Sequence, residues 1–482
     1  MATPHALLPK GQEQDVHIQT TFPDLVELDA LRLTVIVDNE VDIMTSVPKE
    51  LGLTTQAQVL FKDKRHLDKE KSTATSTGAG AATVEHAYDH QASQGEGGPV
   101  RTIGFDFNDL CCGAHGLSIL VTGIRGQIEH RILFDTGPHS AIFLENAKRL
   151  EIPFEKIETI VLSHWHVDHS GGMLAAVAKC VQARKDVKNG PDKKPASVNV
   201  DVHPDRPYQR GICLARPPPP SFPGTVHSER GGRVTPPGAE KADRPITSEY
   251  VAWKADPTIQ ELEAAGAKVF HHRDAHVISE GFFGVSGLIP RNTSYETGIP
   301  NHMQWSPESR CWVPDPDILD ERYLVARVKG KGVVVLSGCS HAGIVNVCQD
   351  VQRAFGMNQA ATEINQESSS SGDGNLAEVA EESTMVESDD DKGVESSNKL
   401  FYVVGGFHLA GSSVETRIAE TVRDLGKISP SYLAPGHCSG WRAKAALENA
   451  MPGRVASLGV GSDFFITAPA SSSKARRTRN IK

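Results

Sequence analysis

The chain has 482 residues, with 50 Lys and Arg against 60 Asp and Glu, a formal charge of −10. Hydrophobic residues make up 39% of it, enough for a sizeable core in one large domain with insertions or in two to three ordinary ones. The acidity is local: residues 361–399 hold eleven acidic and two basic residues, the rest is near neutral, and a nucleic-acid-binding core is therefore not expected.

Short β-branched runs bounded by turn residues predict strands, and helix-forming stretches with partly periodic apolar positions predict helices. In chain order the reading is a strand over 31–37, a low-complexity insertion over 62–100, strands over 117–124 and 131–135, a helix over 140–150, a strand over 159–163 and a helix over 172–184. A Pro/Gly/Lys-rich insertion follows over 186–250, then a helix over 257–266, strands over 323–328 and 332–338 and a helix over 342–355. An acidic Ser-rich insertion over 359–399, a strand over 401–406, helices over 414–426 and 441–450 and a basic tail over 467–482 complete the chain. The insertions have too little apolar content to offset the entropy of ordering and are expected to be disordered loops. The remainder, 31–466, reads as a single α/β domain of layered sheets and helices. The acidic insertion is a solvated spacer or a site for protein partners.

Eight cysteines are too sparse for a disulfide scaffold, and none forms a CxxC pair. The segment MATPHALLPKGQEQD shows neither a signal core nor a transit pattern. No apolar run approaches the roughly 18 residues that cross a bilayer. The expectation is a cytoplasmic protein with no membrane partner; the basic run KARRTR (474–479) would also suit nuclear import or an acidic surface.

The chemistry concentrates in LSHWHVDHSGG (162–172), where His164, His166, Asp168 and His169 follow an apolar strand. A turn at a strand end can send His164 and His166 one way and Asp168 and His169 another, which suits two adjacent divalent cations. Gly171 and Gly172 would let the backbone turn tightly before the next helix.

This HxHxDH pattern resembles the signature of the metallo-β-lactamase fold superfamily. FDTG (134–137), GCSHAG (338–343), GGFHL (405–409) and PGHCSG (435–440) stand in the order such proteins use. With Asp38-Asn39, HGLS (115–118) and IPR (289–291), the set resembles the subgroup named for dihydropterin ribofuranosyl-aminobenzene phosphate synthases. The resemblance spans about residues 31–61, 101–182, 198–214, 258–358 and 400–466 and implies a four-layered αββα sandwich.

It also implies a ligand set. His164, His166 and His341 would hold one metal, and Asp168, His169 and His437 a second; one or two divalent ions are expected, zinc first, with manganese or iron as alternatives. Many relatives place a bridging aspartate where Gly338-Cys339 stands, so Cys339 either bridges or is a small buried residue. Asp135 would orient the metal loop by hydrogen bonding rather than bind metal, and His408 would touch metal-binding groups or substrate, or simply pack. Asp38 and Asn39 serve the site or a turn. His115 is a substrate donor or a loop cap, and Arg291 a partner for a substrate phosphate or carboxylate or a structural ion pair. Asp320 and Glu321 read as a turn, with the metal edge as the other option.

The leading functional reading is a metal-dependent hydrolase or related transferase acting on an anionic or heterocyclic small molecule, with Asp168 also taking up the nucleophile's proton. The alternatives are a pterin-type condensation and a non-catalytic metal-fold scaffold whose insertions bind partners. A nuclease would want a basic face.

Overall fold

Runs such as Val333–Leu336 bury every side chain instead of alternating, the mark of strands covered on both faces. The computed structural model describes residues 20–56, 107–187, 196–214, 249–357 and 399–469. One sheet runs, in hydrogen-bonded order, His276–Ile278, Phe283–Val285, Tyr323–Val328, Gly332–Ser337, Leu400–Gly406 and Tyr432–Gly436, with Glu27–Leu28 also paired to Tyr323–Val328. A second runs Ala267–His271, Val198–Val202, Ile157–Val161, Ile128–Phe134, Ser118–Arg125, Ala30–Val37, Asp463–Thr467 and Leu53–Thr54. A smaller one joins Cys311–Pro314, His302–Ser306, Arg210–Cys213 and Tyr250–Ala252.

Three apolar clusters define the layers. Leu33, Val121, Phe134 and Val161 of the second sheet pack against Leu324, Val334, Leu336 and Val404 of the first. The outer face of the first sheet is covered by helices Ile344–Ala354, Ile418–Ile428 and Trp441–Ala450 through Val347, Val351, Leu425 and Leu447. Helices Ser140–Arg149, Met173–Asp186 and Ile259–Ala264 cover the second through Phe143, Val177, Cys180 and Leu262. The architecture is the expected αββα sandwich.

All seven expected strands and all six expected helices are present, with ends shifted by at most four residues. The stretch 186–250, expected to be an insertion, contains strands Val198–Val202 and Arg210–Cys213. Its polar composition misleads because Asp201 and Arg210 are buried in ion pairs. Residues 62–100, residues 359–398 of the acidic insertion and 470–482 of the tail lie outside the described residues, whereas Thr467 belongs to the strand Asp463–Thr467. The smaller sheet, whose short strands mix polar and apolar residues, is not foreshadowed by periodicity.

Candidate metal centre

Three strands of the second sheet, ending at Phe134, Val161 and Val202, and three of the first, ending at Ser337, Gly406 and Gly436, have parallel partners. In such sheets ligands bind beyond the carboxyl ends of the strands, and here Asp135, His164, Cys339, His341, His408 and His437 follow within four residues of those ends. Four non-glycine residues on these loops, Asp135 (φ 58°), Ser340 (φ 62°), His408 (φ 45°) and His437 (φ 46°), adopt left-handed backbone, a strain that clusters at functional sites.

His164, His166 and His341 form the first group. His164 Nε2 lies 3.0 Å from His166 Nδ1, and His341 Nε2 lies 3.1 Å and 3.2 Å from those two atoms. The far nitrogens decide the tautomers. Ser163 Oγ donates to Asp135 Oδ2 at 2.8 Å, so it accepts from His164 Nδ1–H at 2.9 Å. His302 Nδ1 donates to the Asp315 carbonyl at 2.7 Å, so its Nε2 accepts from His166 Nε2–H at 3.0 Å. His164 Nε2 and His166 Nδ1 therefore face each other as bare lone pairs. Burial, reinforced by neighbouring positive groups, pushes the pKa of all three histidines well below the ordinary value, keeping them neutral. Converging lone pairs at this spacing fit a tetrahedral cation, whose nitrogen ligands stand about 3.3 Å apart.

The second group is Asp168, His169 and His437. Asp168 Oδ2 is 3.2 Å from His437 Nε2 and 3.8 Å from His169 Nε2. His169 donates Nδ1–H to Asp135 at 2.7 Å, and His437 donates Nδ1–H to Asn39 Oδ1 at 3.1 Å, leaving both Nε2 atoms turned inward. His437 Nε2 is buried without a hydrogen-bond partner. Burial opposes charge here, yet Asp168 and Asp135 outweigh it and raise His169 to about 9, so the position attracts positive charge. The donor set thus fits a second cation. Cys339 Sγ lies 3.1 Å from His169 Nε2 and within 4.8 Å of donors in both groups. Cys339 therefore occupies the place between them.

The remaining residues hold these loops. Asp135, fully buried, also accepts the Ser163 backbone N–H at 2.7 Å. Asp38 Oδ2 accepts the His437 backbone N–H at 2.8 Å, and Asn39 Nδ2 donates to His115 Nδ1 at 3.0 Å. The exposed His115 is thereby left with Nε2–H, 3.6 Å from Asp168 Oδ2. The His408 ring packs 4.4 Å from that of His341. Arg291 donates to the carbonyls of His341 (3.1 Å) and Asp317, which ties it to the backbone beside the site.

Asp320 and Glu321 are more than a turn. Glu321 accepts the backbone N–H groups of His341 and Ala342, both at 2.7 Å. Asp320 accepts Trp165 N–H at 2.7 Å and pairs with Arg210, which in turn donates to the Trp165 carbonyl at 2.9 Å. The His164–His166 turn is thus clamped through both polar groups of its central residue. Gly171 and Gly172 also differ from expectation: their backbone is ordinary right-handed (φ −62° and −90°). They are needed because a Cβ at either would strike the carbonyl of Pro138 or Thr136.

Sequence reasoning missed Arg210, His302 and Trp253. Trp253 lies half-buried with its ring 5.1 Å from His166 and 5.4 Å from His302. Each stands alone in its segment, and no spacing rule marks it.

Residues 115–229 match the family described as Metallo-beta-lactamase superfamily. The chain is 24% identical over 339 residues to 7,8-dihydropterin-6-methyl-4-(beta-D-ribofuranosyl)-aminobenzene-5'-phosphate synthase of Methanocaldococcus jannaschii, covering 70% of this chain and 85% of that one. It is 26% identical over 334 residues to an uncharacterized protein of the same organism, covering 69% and 87%. Among solved structures it is similar to Tm1679, a metal-dependent hydrolase of the beta-lactamase superfamily, at 17% identity and a TM-score of 0.44, covering 91% and 99%. Among the described residues no helix is long and apolar enough to cross a membrane.

Proposed function

We propose that this chain is a metal-dependent hydrolase, or a mechanistically related transferase, acting on an anionic or heterocyclic small molecule. The observation that carries the reading is the pair of bare nitrogens, His164 Nε2 and His166 Nδ1, held 3.0 Å apart by partners that occupy their other ring atoms. His164, His166 and His341 are assigned to one divalent cation and Asp168, His169 and His437 to a second, with Cys339 as the shared donor; zinc suits the nitrogen, oxygen and sulfur set. Bound there, such cations would lower the pKa of a water and polarise a carbonyl or phosphoryl oxygen.

The chain's own groups supply the rest. Asp168, its pKa held well below the usual carboxylate range by His169 and His437 despite burial, is the ionised group next to the reacting position and the acceptor for the nucleophile's proton. His115 offers an exposed N–H donor beside it for an anionic substrate group. Trp253 provides an aromatic wall against which a heterocycle can stack. No nucleic-acid or membrane partner is proposed.

Replacing His166 and Asp168 by Ala should remove metal and activity together, assayed on esters, lactones and phosphodiesters. Wild-type protein that holds no stoichiometric transition metal by elemental analysis would sink the reading. A second reading, a pterin-type synthase, is favoured by the name of the 24% identical relative. A melting shift with an aminobenzene riboside phosphate but not with hydrolase substrates would select it.

A further inference from the structure

The segment HHRDAH (271–276) links an edge strand of one sheet to an edge strand of the other. His272 follows the strand Ala267–His271, and His276 opens the strand His276–Ile278. Between them reaches Asp201, whose carboxylate on the adjacent strand Val198–Val202 is buried. Asp201 Oδ2 lies 2.7 Å from His272 Nδ1 and 2.9 Å from His276 Nε2, while Oδ1 accepts from Arg322 Nη1 at 2.7 Å. The two imidazole rings are 3.9 Å apart, centroid to centroid.

Proton accounting for His276 leaves a mismatch. Its Nδ1 faces the Asp274 carbonyl at 3.0 Å and its Nε2 faces the carboxylate, so both ring nitrogens point at acceptors. A neutral imidazole carries one N–H. His276 is therefore either an imidazolium, crowded against a second ring on the same carboxylate oxygen, or a neutral ring with a cation against Nε2. Two imidazole nitrogens and one carboxylate oxygen, all within 4.8 Å of one another, are a donor set for a borderline divalent cation. Asp201 suits this: Arg322 Nη1 donates to Oδ1, while Oδ2 faces the two imidazole nitrogens.

We propose that Asp201, His272 and His276 form a separate site for a divalent transition cation such as zinc, fastening the adjoining edges of the two sheets. Three protein ligands leave one position for water. The side chains of His272 (38% exposed) and His276 (18%) leave the site reachable from solvent. None of the three belongs to the centre built on His164, His166 and His341, so the proposal stands independently of the catalytic reading.

The experiment counts zinc bound to the full chain after chelator stripping and back-titration. His272→Gln/His276→Gln keeps amide hydrogen bonds to Asp201 but removes both imidazole donors; His166→Gln/His169→Gln dismantles the other centre. The first variant should bind one equivalent fewer than wild type. The second should retain that equivalent and still gain melting temperature with zinc, a gain lost when all four changes are combined. If the catalytic centre takes no metal, wild type would bind one zinc and the first variant none, which upholds this site alone. Equal zinc counts for wild type and the first variant, or no zinc on a folded second variant, would overturn it.

Discussion

Changing Asp135 to Asn tests whether the metal-binding nitrogens are oriented from outside the centre. Asn keeps the side-chain size and tolerates the left-handed backbone at φ 58°. It also keeps an acceptor for the Ser163 backbone N–H. The Oδ2 atom, which accepts Ser163 O–H at 2.8 Å and His169 Nδ1–H at 2.7 Å, becomes an NH₂ facing two donors. His169 can relieve that clash only by moving its proton to Nε2, which removes the lone pair turned toward Cys339 and Asp168. Ser163 must turn away as well, freeing His164 to adopt the wrong tautomer. Partners of this kind contribute roughly 10- to 100-fold to metal affinity, or about 1.4–2.7 kcal/mol. Competition against a chromophoric chelator, with folding checked by circular dichroism, reads that loss. D135N protein that holds metal as tightly as wild type would refute the tautomer argument, because among the described residues Asp135 is the acceptor for His169 Nδ1.

Three more expectations follow from the same geometry. His302→Phe keeps an aromatic ring but removes the acceptor for His166 Nε2–H, so metal affinity should drop by about tenfold, and an unchanged chelator competition would contradict the assignment. Asp256, buried beside Ser170, is pushed up to about 6, mainly by burial. A folded carboxyl raised this way favours the protonated form, so its contribution is fully present below about pH 4 and is lost as pH rises through 6. Asp256→Asn should therefore gain stability relative to wild type across pH 4–6, levelling at on the order of 2–3 kcal/mol, and a pH-independent difference in denaturant melts would rule this out. Trp253→Ala should raise KM for heterocyclic substrates by roughly tenfold with kcat little changed, whereas equal effects on aliphatic esters would remove Trp253 from the substrate wall.

Much of the frame was legible in advance. Runs such as LSILVTGI (117–124) and GVVVLSG (332–338) declare strands buried on both faces, since continuous apolar sequence cannot sit on a half-exposed sheet. The strands 210–213 and 302–306 were not legible. Arg210 looks like surface but is buried because it pairs with Asp320, 110 residues away, and His302 sits in no motif. Glu321 looked like part of a turn because its partners are the backbone N–H groups of a loop 20 residues further on.

The sequence alone determined which donor atoms are present: imidazoles, a carboxylate and a thiol placed just after strand ends, where turn backbone can present them. It could not determine which nitrogen of each imidazole faces inward. That choice depends on where the other ring proton finds an acceptor. The acceptors for His166, His169 and His437 are His302, Asp135 and Asn39, lying 136, 34 and 398 residues away along the chain. Only the packing of the two sheets brings those partners within hydrogen-bond reach, so the tertiary structure decides which lone pairs are left to hold a cation.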